Sequence, residues 1–285
     1  MMGRISWVIA FRPEAQPVID RFSLRKVKNE RELFPVYRSE DGRISLVLSG
    51  LGKVLSSAAA VYLASTEPED SPEESLWLNF GIAGSGERDF GKAFLGSRIT
   101  DEGSGKSWYP PAVWSRGTGP ARREVRTVDR PVLSGIEGSS LVDMEASGFM
   151  AAASKLNTLE FCQCIKVVSD DPDHSVHEID RSRVEALCEK ALDESLPFLE
   201  ELTSLCGERA ARRRAPVGFQ EWTERVRFTV SQGHQLRKLL QKFEILGESQ
   251  RSLDLLSERR SEPAKACLQS LREELELVRM RNREK

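Results

Sequence analysis

Long apolar runs are missing from this sequence. The N-terminal run from Ile5 to Phe11 ends at Arg12, whereas a membrane-spanning helix needs about 20 apolar residues and a secretory signal needs a longer apolar region. We therefore expect no membrane segment and place the protein in the cytoplasm. Repeats and low-complexity tracts are also missing, and 39% apolar residues are enough for an ordinary globular core.

Cysteine is scarce and irregularly spaced. The five cysteines are Cys162, Cys164, Cys188, Cys206 and Cys267. An odd number without regular spacing favours reduced, mostly buried thiols over a disulfide framework. Cys162 and Cys164 have the spacing that can begin a zinc site, but no second Cys or His pair lies nearby. We therefore expect no metal and no cofactor.

Charges are unevenly distributed, although the net charge is only −2. From Gly207 onward the chain has 18 Lys and Arg against 12 Asp and Glu, whereas residues 1–206 have 24 against 32. This difference predicts two domains, an α/β domain over 1–206 and a basic helical extension over 207–285. The arginine-rich segment 211–214 is more typical of a solvated face or of pairing with acidic neighbours than of nucleic-acid binding. We expect no nucleic-acid partner.

Short apolar, β-rich runs alternate with helical patterns in the first 206 residues. This order predicts an α/β fold with a central sheet flanked by helices. The predicted strands cover 4–11, 43–50, 75–84, 93–100, 123–128 and 161–170. The predicted helices begin after Lys53, run from about Val142 to Leu156, and run from Arg181 to Leu205, with a kink or break at Pro197.

Strand patterns stop beyond Cys206, and three helices are predicted. One long helix spans Trp222 to Phe243, a shorter one includes Leu253 to Leu256, and a third follows Pro263. We expect a helical hairpin or small bundle that packs on the α/β domain or on a second subunit. A protein partner of these helices stays open.

Acidic and glycine-rich segments follow the predicted strands. Glu14 follows the first strand, the turn at 49–54 follows the second, the turn at 81–84 ends a later one, and Asp170 ends the last. Ligands of open α/β sheets bind outside the carboxyl ends of the strands, so these segments are expected to meet in one crevice. Glu145, at the start of a helix, is expected to join them. Each segment taken singly is more often a plain turn or cap.

Four of these segments together resemble a known family, the methylthioadenosine/S-adenosylhomocysteine nucleosidases of the nucleoside phosphorylase superfamily. They are SGLGKV (49–54), LNFGIAG (78–84), VDMEAS (142–147) and KVVSD (166–170), in the family's order. AFRPEA (10–15) also places Glu14 where the family carries a catalytic Glu. The resemblance covers about residues 4–205 and implies a central mixed sheet, a homodimer and a small-molecule nucleoside substrate.

The resemblance also implies roles for individual residues. Asp170 would be the general acid for purine N7, Glu145 would bind the ribose hydroxyls, and Glu14 would activate water. These roles suit the chemistry, since cleavage of an N-glycosidic bond develops positive charge on the sugar and negative charge on the base. The implied substrate-binding residues are Met144, Gly81, Ile82, Ala83 and Ser169.

One position bears on the choice between hydrolysis and phosphorolysis. Phosphorylases of this superfamily commonly carry an Arg two residues before the glycine turn, where this chain has Asn79, and a Ser or Thr where it has Ile82. Neither residue supplies charge for a phosphate, so the pattern favours water. Arg12 near Glu14 keeps phosphorolysis as an alternative. A further alternative is a member without catalysis that acts as a binding or assembly module through its helical tail.

Three other segments have less specific patterns. The family's base clamp does not align with 127–135, so the identity of the base stays open, and Trp108 or Tyr109 could stack on a base. The stretch 170–180, with His174 and His177 among carboxylates, has a metal-like composition, but a polar loop before a helix has the same composition. GSGKS at 103–107 lacks the first glycine of a phosphate-binding loop.

Overall fold

The computed structural model of the chain describes residues 3–28, 32–67, 74–115, 117–132, 136, 138–174, 180–213, 215–258 and 262–283. The chain forms two compact units, residues 1–211 and 212–285. The predicted boundary after Cys206 lies inside a helix that runs from Arg181 to Arg213. No helix in the described ranges has the length and apolar character needed to cross a membrane.

The first unit is built from strands and helices that alternate along the chain. Its described strands are β1 (Arg4–Ile9), β2 (Arg25–Lys26), β3 (Val36–Arg38), β4 (Ile44–Leu48), β5 (Ser75–Ser85), β6 (Ala93–Asp101), β7 (Ser107–Trp108), β8 (Ala121–Thr127), β9 (Leu141–Asp143) and β10 (Cys162–Asp170). Its helices are α1 (Arg12–Arg21), α2 (Lys53–Thr66), α3 (Ala146–Leu156) and α4 (Arg181–Arg213), with a 3-10 turn at Leu159–Phe161.

All described strands belong to one mixed sheet of order β10-β6-β8-β9-β5-β1-β4-β3-β2, with β7 paired to β6. β1 is parallel to its neighbours β4 and β5, and β5 is parallel to β10. β10 is antiparallel to β6, so β5, β9, β8, β6 and β10 form a closed ring. The expected α/β fold with a central mixed sheet and a C-terminal helical region is confirmed.

Two apolar layers cover the sheet. Side chains of a strand alternate between faces, and β1 follows this rule. Trp7 and Ile9 belong to the layer that holds the apolar residues of α1 and α4, whereas Val8 belongs to the layer with α2 and α3. The long strands β5 and β10 are buried on both faces, which explains their nearly continuous apolar sequences. The five cysteines are free and buried, as expected.

The second unit is helical. Besides the end of α4, its described helices are α5 (Phe219–Arg225), α6 (Val230–Ile245), α7 (Ser249–Glu258) and α8 (Ala264–Arg283). Trp222, Phe243 and Leu271 are fully buried in its apolar core, and the indole Nε1 of Trp222 donates to the carbonyl of Ser252 at 3.2 Å. The unit therefore has a core of its own.

Several predicted elements differ from the structure. The single helix over Trp222 to Phe243 is wrong, because a new helix begins after Thr229, whose hydroxyl accepts from the backbone N–H of Gln232. The helix expected from Val142 begins at Ala146, since residues before it form β9. The helix does not break at Pro197. The pattern also missed α1, β2, β3 and β7.

Candidate active site

A cavity of about 210 Å³ lies at the carboxyl ends of the parallel strands β1, β4, β5 and β10. Its acidic lining residues are Glu14, Asp143, Glu145 and Asp170, and its other lining residues include Phe11, Leu51, Ile82, Ala83, Gly84, Val128, Pro131, Val132, Met144 and Ser169. The cavity thus brings together the three carboxylates expected to meet, along with four of the five expected substrate-binding residues.

Gly81 is the exception among those five, since it does not line the cavity. It lies behind Glu14, and a Cβ atom at this position would be 2.6 Å from Glu14 Oε1. That separation is far shorter than a normal van der Waals contact. Because Gly81 has no side chain, it leaves room for the carboxylate of Glu14.

Glu14 is held in the first turn of α1 by two backbone donors. The N–H of Ile82 donates to Oε1 at 2.8 Å, and the N–H of Phe11 donates to Oε2 at 2.9 Å. The residue is only 3% exposed. Burial raises the pKa of Glu14 to about 7, although these hydrogen bonds and the charge of Lys166 act in the opposite direction. A carboxyl group with this pKa exchanges protons near neutral pH.

Glu145 precedes α3 and is fixed by the glycine turn before α2. The N–H of Gly52, which has a φ of 98°, donates to Glu145 Oε1 at 2.7 Å. Burial raises the pKa of Glu145, and the charge of Asp143 raises it further. Close packing of the two helices supports this bond, because a Cβ atom at Gly148 in α3 would overlap the carbonyl oxygen of Lys53 in α2.

Asp170 ends β10 at a point where the pairing with β5 shifts register. The hydroxyl of Ser169 donates to Asp170 Oδ1 at 2.7 Å. Oδ2 points across Gly84, where a Cβ atom would be 2.7 Å away. Burial raises the pKa of Asp170, and the charge of Asp171 adds to the rise. The carboxyl group therefore holds its proton more tightly than an ordinary Asp does.

Lys166 is a site residue that the sequence pattern missed. Its side chain is 1% exposed, and Nζ lies 2.7 Å from Oδ2 of Asp143. Burial alone would lower the pKa of Lys166, but the charges of Asp143 and Glu145 raise it overall. The ammonium also lowers the pKa values of Glu14 and Glu145. A lone lysine in the apolar strand sequence CQCIKVVSD was the available signal.

Asp143 anchors this ammonium through a network of its own. The hydroxyl of Thr127 donates to Asp143 Oδ1 at 2.7 Å, and the N–H of Ala146 donates to Oδ2 at 2.8 Å. Each carboxylate oxygen therefore has a fixed partner. Such a satisfied network is the condition under which a buried ion pair is tolerated.

Asn79 and Arg12, the two polar side chains considered for binding a phosphate, lie outside the cavity. Asn79 Nδ2 donates to the carbonyl of Val8 at 3.0 Å inside the sheet. Arg12 donates to Gln16 and stacks on Tyr37 at 4.8 Å. None of the described residues that line the cavity is Lys or Arg. The cavity wall thus offers carboxylates and apolar groups, but no cationic side chain in the described ranges.

Other candidate segments have structural roles. Trp108 is buried in the α2/α3 layer, Tyr109 is 60% exposed, and neither lines the cavity. GSGKS connects β6 to β7. In the described part of the chain, His, Cys, Asp and Glu form no group that could hold a metal ion. His174 binds Asp171, and His177 lies outside the described residues.

Comparison with known proteins gives similarity at the level of the fold. No protein-family profile matches the chain, and no curated protein sequence matches it. The solved 5′-methylthioadenosine nucleosidase of Arabidopsis thaliana superposes with a TM-score of 0.56 and 18% identity, over 70% of this chain and 96% of that one. The chain has the fold of a nucleosidase.

Two further solved structures agree with this fold assignment. An MTA/SAH nucleosidase superposes with a TM-score of 0.55 and 17% identity, over 71% of this chain and 96% of its own. The MTA/SAH nucleosidase of Colwellia psychrerythraea 34H, in complex with adenine, gives a TM-score of 0.51 and 17% identity, over 73% and 97%. The fold of these enzymes is thus present almost in full.

Proposed function

We propose that the protein hydrolyses the N-glycosidic bond of a purine nucleoside and releases the free base. The observation that carries this proposal is the single cavity in which Glu14, Glu145 and Asp170 meet from three separate parts of the chain. All three carboxyl groups have raised pKa values because they are buried. Perturbed carboxyl groups in a cleft are typical of catalytic sites.

Asp170 is the general acid in this proposal. The departing purine gains negative charge, and a proton delivered to N7 stabilises it. The raised pKa of Asp170 keeps the carboxyl group protonated to higher pH than an ordinary Asp, as this role requires. General acid catalysis of this kind contributes roughly 10²–10⁴-fold to the rate.

Glu145 binds the ribose. A carboxylate has about four lone-pair sites, so the bond from Gly52 leaves capacity to accept hydrogen bonds from the ribose hydroxyls. Its negative charge also stabilises the positive charge that develops on the sugar. Met144 packs against the ribose, and the walls formed by Ile82, Ala83 and Ser169 enclose the nucleoside.

Glu14 orients the attacking water and accepts its proton. With a pKa of about 7, the carboxyl group is ionised in a substantial fraction of molecules at neutral pH. Lys166 favours that ionised form through its charge. We assign Lys166 the part of a positioning residue, since it acts on the carboxylates and does not line the cavity.

Water is favoured over phosphate as the nucleophile by the charges around the cavity. A phosphate dianion needs charge-assisted donors, whereas the described lining residues include four carboxylates and no Lys or Arg. Phosphorolysis would place two further negative charges among these groups. Hydrolysis avoids that repulsion.

The nucleoside is proposed to be of the 5′-methylthioadenosine or S-adenosylhomocysteine type. Phe11 and Leu51 line the cavity and stay 43% and 47% exposed, so they offer apolar surface to a 5′ substituent at the opening. Val128, Pro131 and Val132 offer apolar contacts to the base. The names of the structural neighbours point to the same substrate class.

A nucleoside panel with and without phosphate tests the proposal. Purified protein is incubated with 5′-methylthioadenosine, S-adenosylhomocysteine, adenosine, inosine and guanosine, and the released base is quantified by chromatography. We expect release without phosphate. Asp170→Asn and Glu14→Gln should lower it by at least about 100-fold. The matched control Glu124→Gln, an exposed carboxylate paired with Arg98, should leave it unchanged.

The other outcomes identify the alternatives. Strict dependence on phosphate would show a phosphorylase. No release from any nucleoside by the folded wild-type protein would contradict the enzyme proposal and favour a binding or assembly module. Full activity in both Asp170→Asn and Glu14→Gln would contradict the assignment of the site.

We further propose that the protein forms a homodimer through α2. This helix exposes Val54, Leu55 and Val61 at 74%, 44% and 53%, and exposed apolar faces of this kind commonly form isologous interfaces. Light scattering should give twice the chain mass, and the double variant Val54→Glu/Val61→Glu should give the monomer. A monomeric wild-type protein would contradict the proposal.

A further inference from the structure

The turn that follows Asp170 is closed by the side chain of Asp171, which is 2% exposed. Oδ1 accepts from the backbone N–H groups of Asp173 and His174 at 3.0 Å each, and from His174 Nδ1 at 2.8 Å. Oδ2 accepts from the N–H of Phe90 at 2.9 Å. One buried carboxylate therefore joins its own turn to the separate turn that leads into β6.

His174 strengthens the same junction. Its ring stacks on Phe90 with centroids 4.2 Å apart and an interplanar angle of 27°. Because an ionised carboxylate only accepts hydrogen bonds, the Nδ1 atom that faces Asp171 carries the proton. His174 is thus bound to Asp171 by a hydrogen bond and to Phe90 by stacking. The side chain stays 38% exposed.

The turn around Phe90 is also attached to β10 on the other side of Asp170. The N–H of Gly91 donates to the carbonyl of Val168 at 2.9 Å, and the N–H of Val168 donates to the carbonyl of Lys92 at 3.0 Å. Val168 precedes Asp170 and Asp171 follows it. The backbone of Asp170 is therefore bracketed by two attachments to one neighbouring turn, at the place where the β5 pairing is irregular.

We propose that Asp171 and His174 form a positioning pair that holds Asp170 in the orientation needed for proton delivery to the leaving base. This inference rests on the proposed nucleosidase function. Catalysis by a positioned group depends strongly on geometry, and a displacement of about 1 Å can cost on the order of 100-fold. Glu14 lies in α1 and Glu145 precedes α3, away from this turn, so loss of the pair should affect the acid function selectively.

A double-mutant cycle with His174 gives the sharpest test. His174→Phe keeps an aromatic ring for Phe90 and removes the Nδ1 donor, whereas His174→Asn supplies an amide N–H in its place. We expect His174→Phe to lower kcat for the nucleoside by about 10- to 100-fold with little change in KM, and His174→Asn to recover most of it. In an Asp170→Asn background, His174→Phe should cause no further loss, because the acid is already gone.

The second measurement uses a leaving group that needs no proton. A 4-nitrophenyl riboside releases a stable phenolate, so Asp171→Asn and His174→Phe should cleave it as fast as the wild-type protein while they lose activity on the nucleoside. Asp171→Asn serves as the stronger perturbation, since an amide cannot accept from both turns. The two His174 variants keep the test decisive if Asp171→Asn fails to fold.

Each other result overturns the inference. Additive losses in the Asp170→Asn background, or equal losses on both substrates, would show that the pair only stabilises the fold. Wild-type kcat in His174→Phe and Asp171→Asn would show that the pair has no effect on Asp170, and the proposed function would stand. A wild-type protein that releases no base would instead refute the proposed function, and the positioning role with it.

Discussion

Glu14 gives a quantitative prediction that links catalysis to stability. Its pKa is raised from 4.5 to about 7 by burial, so the folded chain keeps the proton at pH values where the unfolded chain releases it. Stability from this group is fully present below about pH 4.5 and is lost as the pH rises through 7. Linkage gives a loss of about 2.5 kcal/mol between pH 5 and pH 8. Removal of the carboxyl group should remove this loss.

The variant Glu14→Gln isolates the effect. Other titrating groups are common to both proteins, so the difference in unfolding free energy between variant and wild type should shift by about 2.5 kcal/mol in favour of the variant between pH 5 and pH 8. The difference in unfolding free energy at a single pH is less informative, because it also contains the cost of a lost hydrogen bond. The amide in Glu14→Gln cannot accept from both Phe11 and Ile82. The change with pH is therefore the quantity to measure.

Urea unfolding followed by tryptophan fluorescence provides the assay. The chain has five Trp residues, and Trp222→Phe removes the one in the second unit, so the signal then reports on the α/β unit. Glu124→Gln in the same background is the control and should show no shift. In parallel, kcat/KM for the proposed hydrolysis by the wild-type protein should fall about tenfold per pH unit below pH 7. If the difference in unfolding free energy between Glu14→Gln and wild type stays constant from pH 5 to pH 8, the raised pKa of Glu14 and its proposed role are refuted.

Three further perturbations test the surroundings of the site. Gly81→Ala should displace Glu14 and lower kcat by about 100-fold, whereas Gly207→Ala, where no atom lies within 4 Å of the new Cβ, should leave kcat unchanged. Lys166→Met should cost about 3–5 kcal/mol in urea unfolding, because Asp143 is left buried without its partner, and wild-type stability would contradict the pairing. Deletion of residues 214–285 should change solubility or oligomeric state, measured by light scattering, more than base release; loss of base release by the folded truncated protein would contradict this.

The convergence of Glu14 and Asp170 could be predicted because both acids follow strand ends, and parallel strands bring those ends together. Glu145 is expected to join them from the start of a helix. The ion pair of Lys166 and Asp143 could not. These two residues are far apart in the sequence, and only the sheet brings the end of β9 close to β10. Single-sequence patterns show burial and period, but they do not show which buried charges will meet.

The missed helices have local physical reasons. α1 contains Pro13 and Pro17, which the pattern treats as breakers, although Pro13 lies in the first turn, where a missing N–H costs little. In the tail, Val226 and Val230 continue the apolar stripe of Trp222 through a break. The capping box formed by Thr229 and Gln232 marks the new start, but the apolar periodicity continues across it and hides the break.

The overlap that a side chain at Gly148 would create with α2 makes this glycine a spacer for the proposed ribose site. Gly148 does not line the cavity, yet it sets how closely the beginnings of α2 and α3 approach each other. Through the N–H of Gly52 it also sets the position of Glu145. Residues that line the cavity could therefore be substituted, whereas Gly148 could not be replaced by a larger residue without moving α2 and α3 apart. A larger residue at position 148 would widen the proposed sugar subsite, although none of the residues that line the cavity would have been substituted.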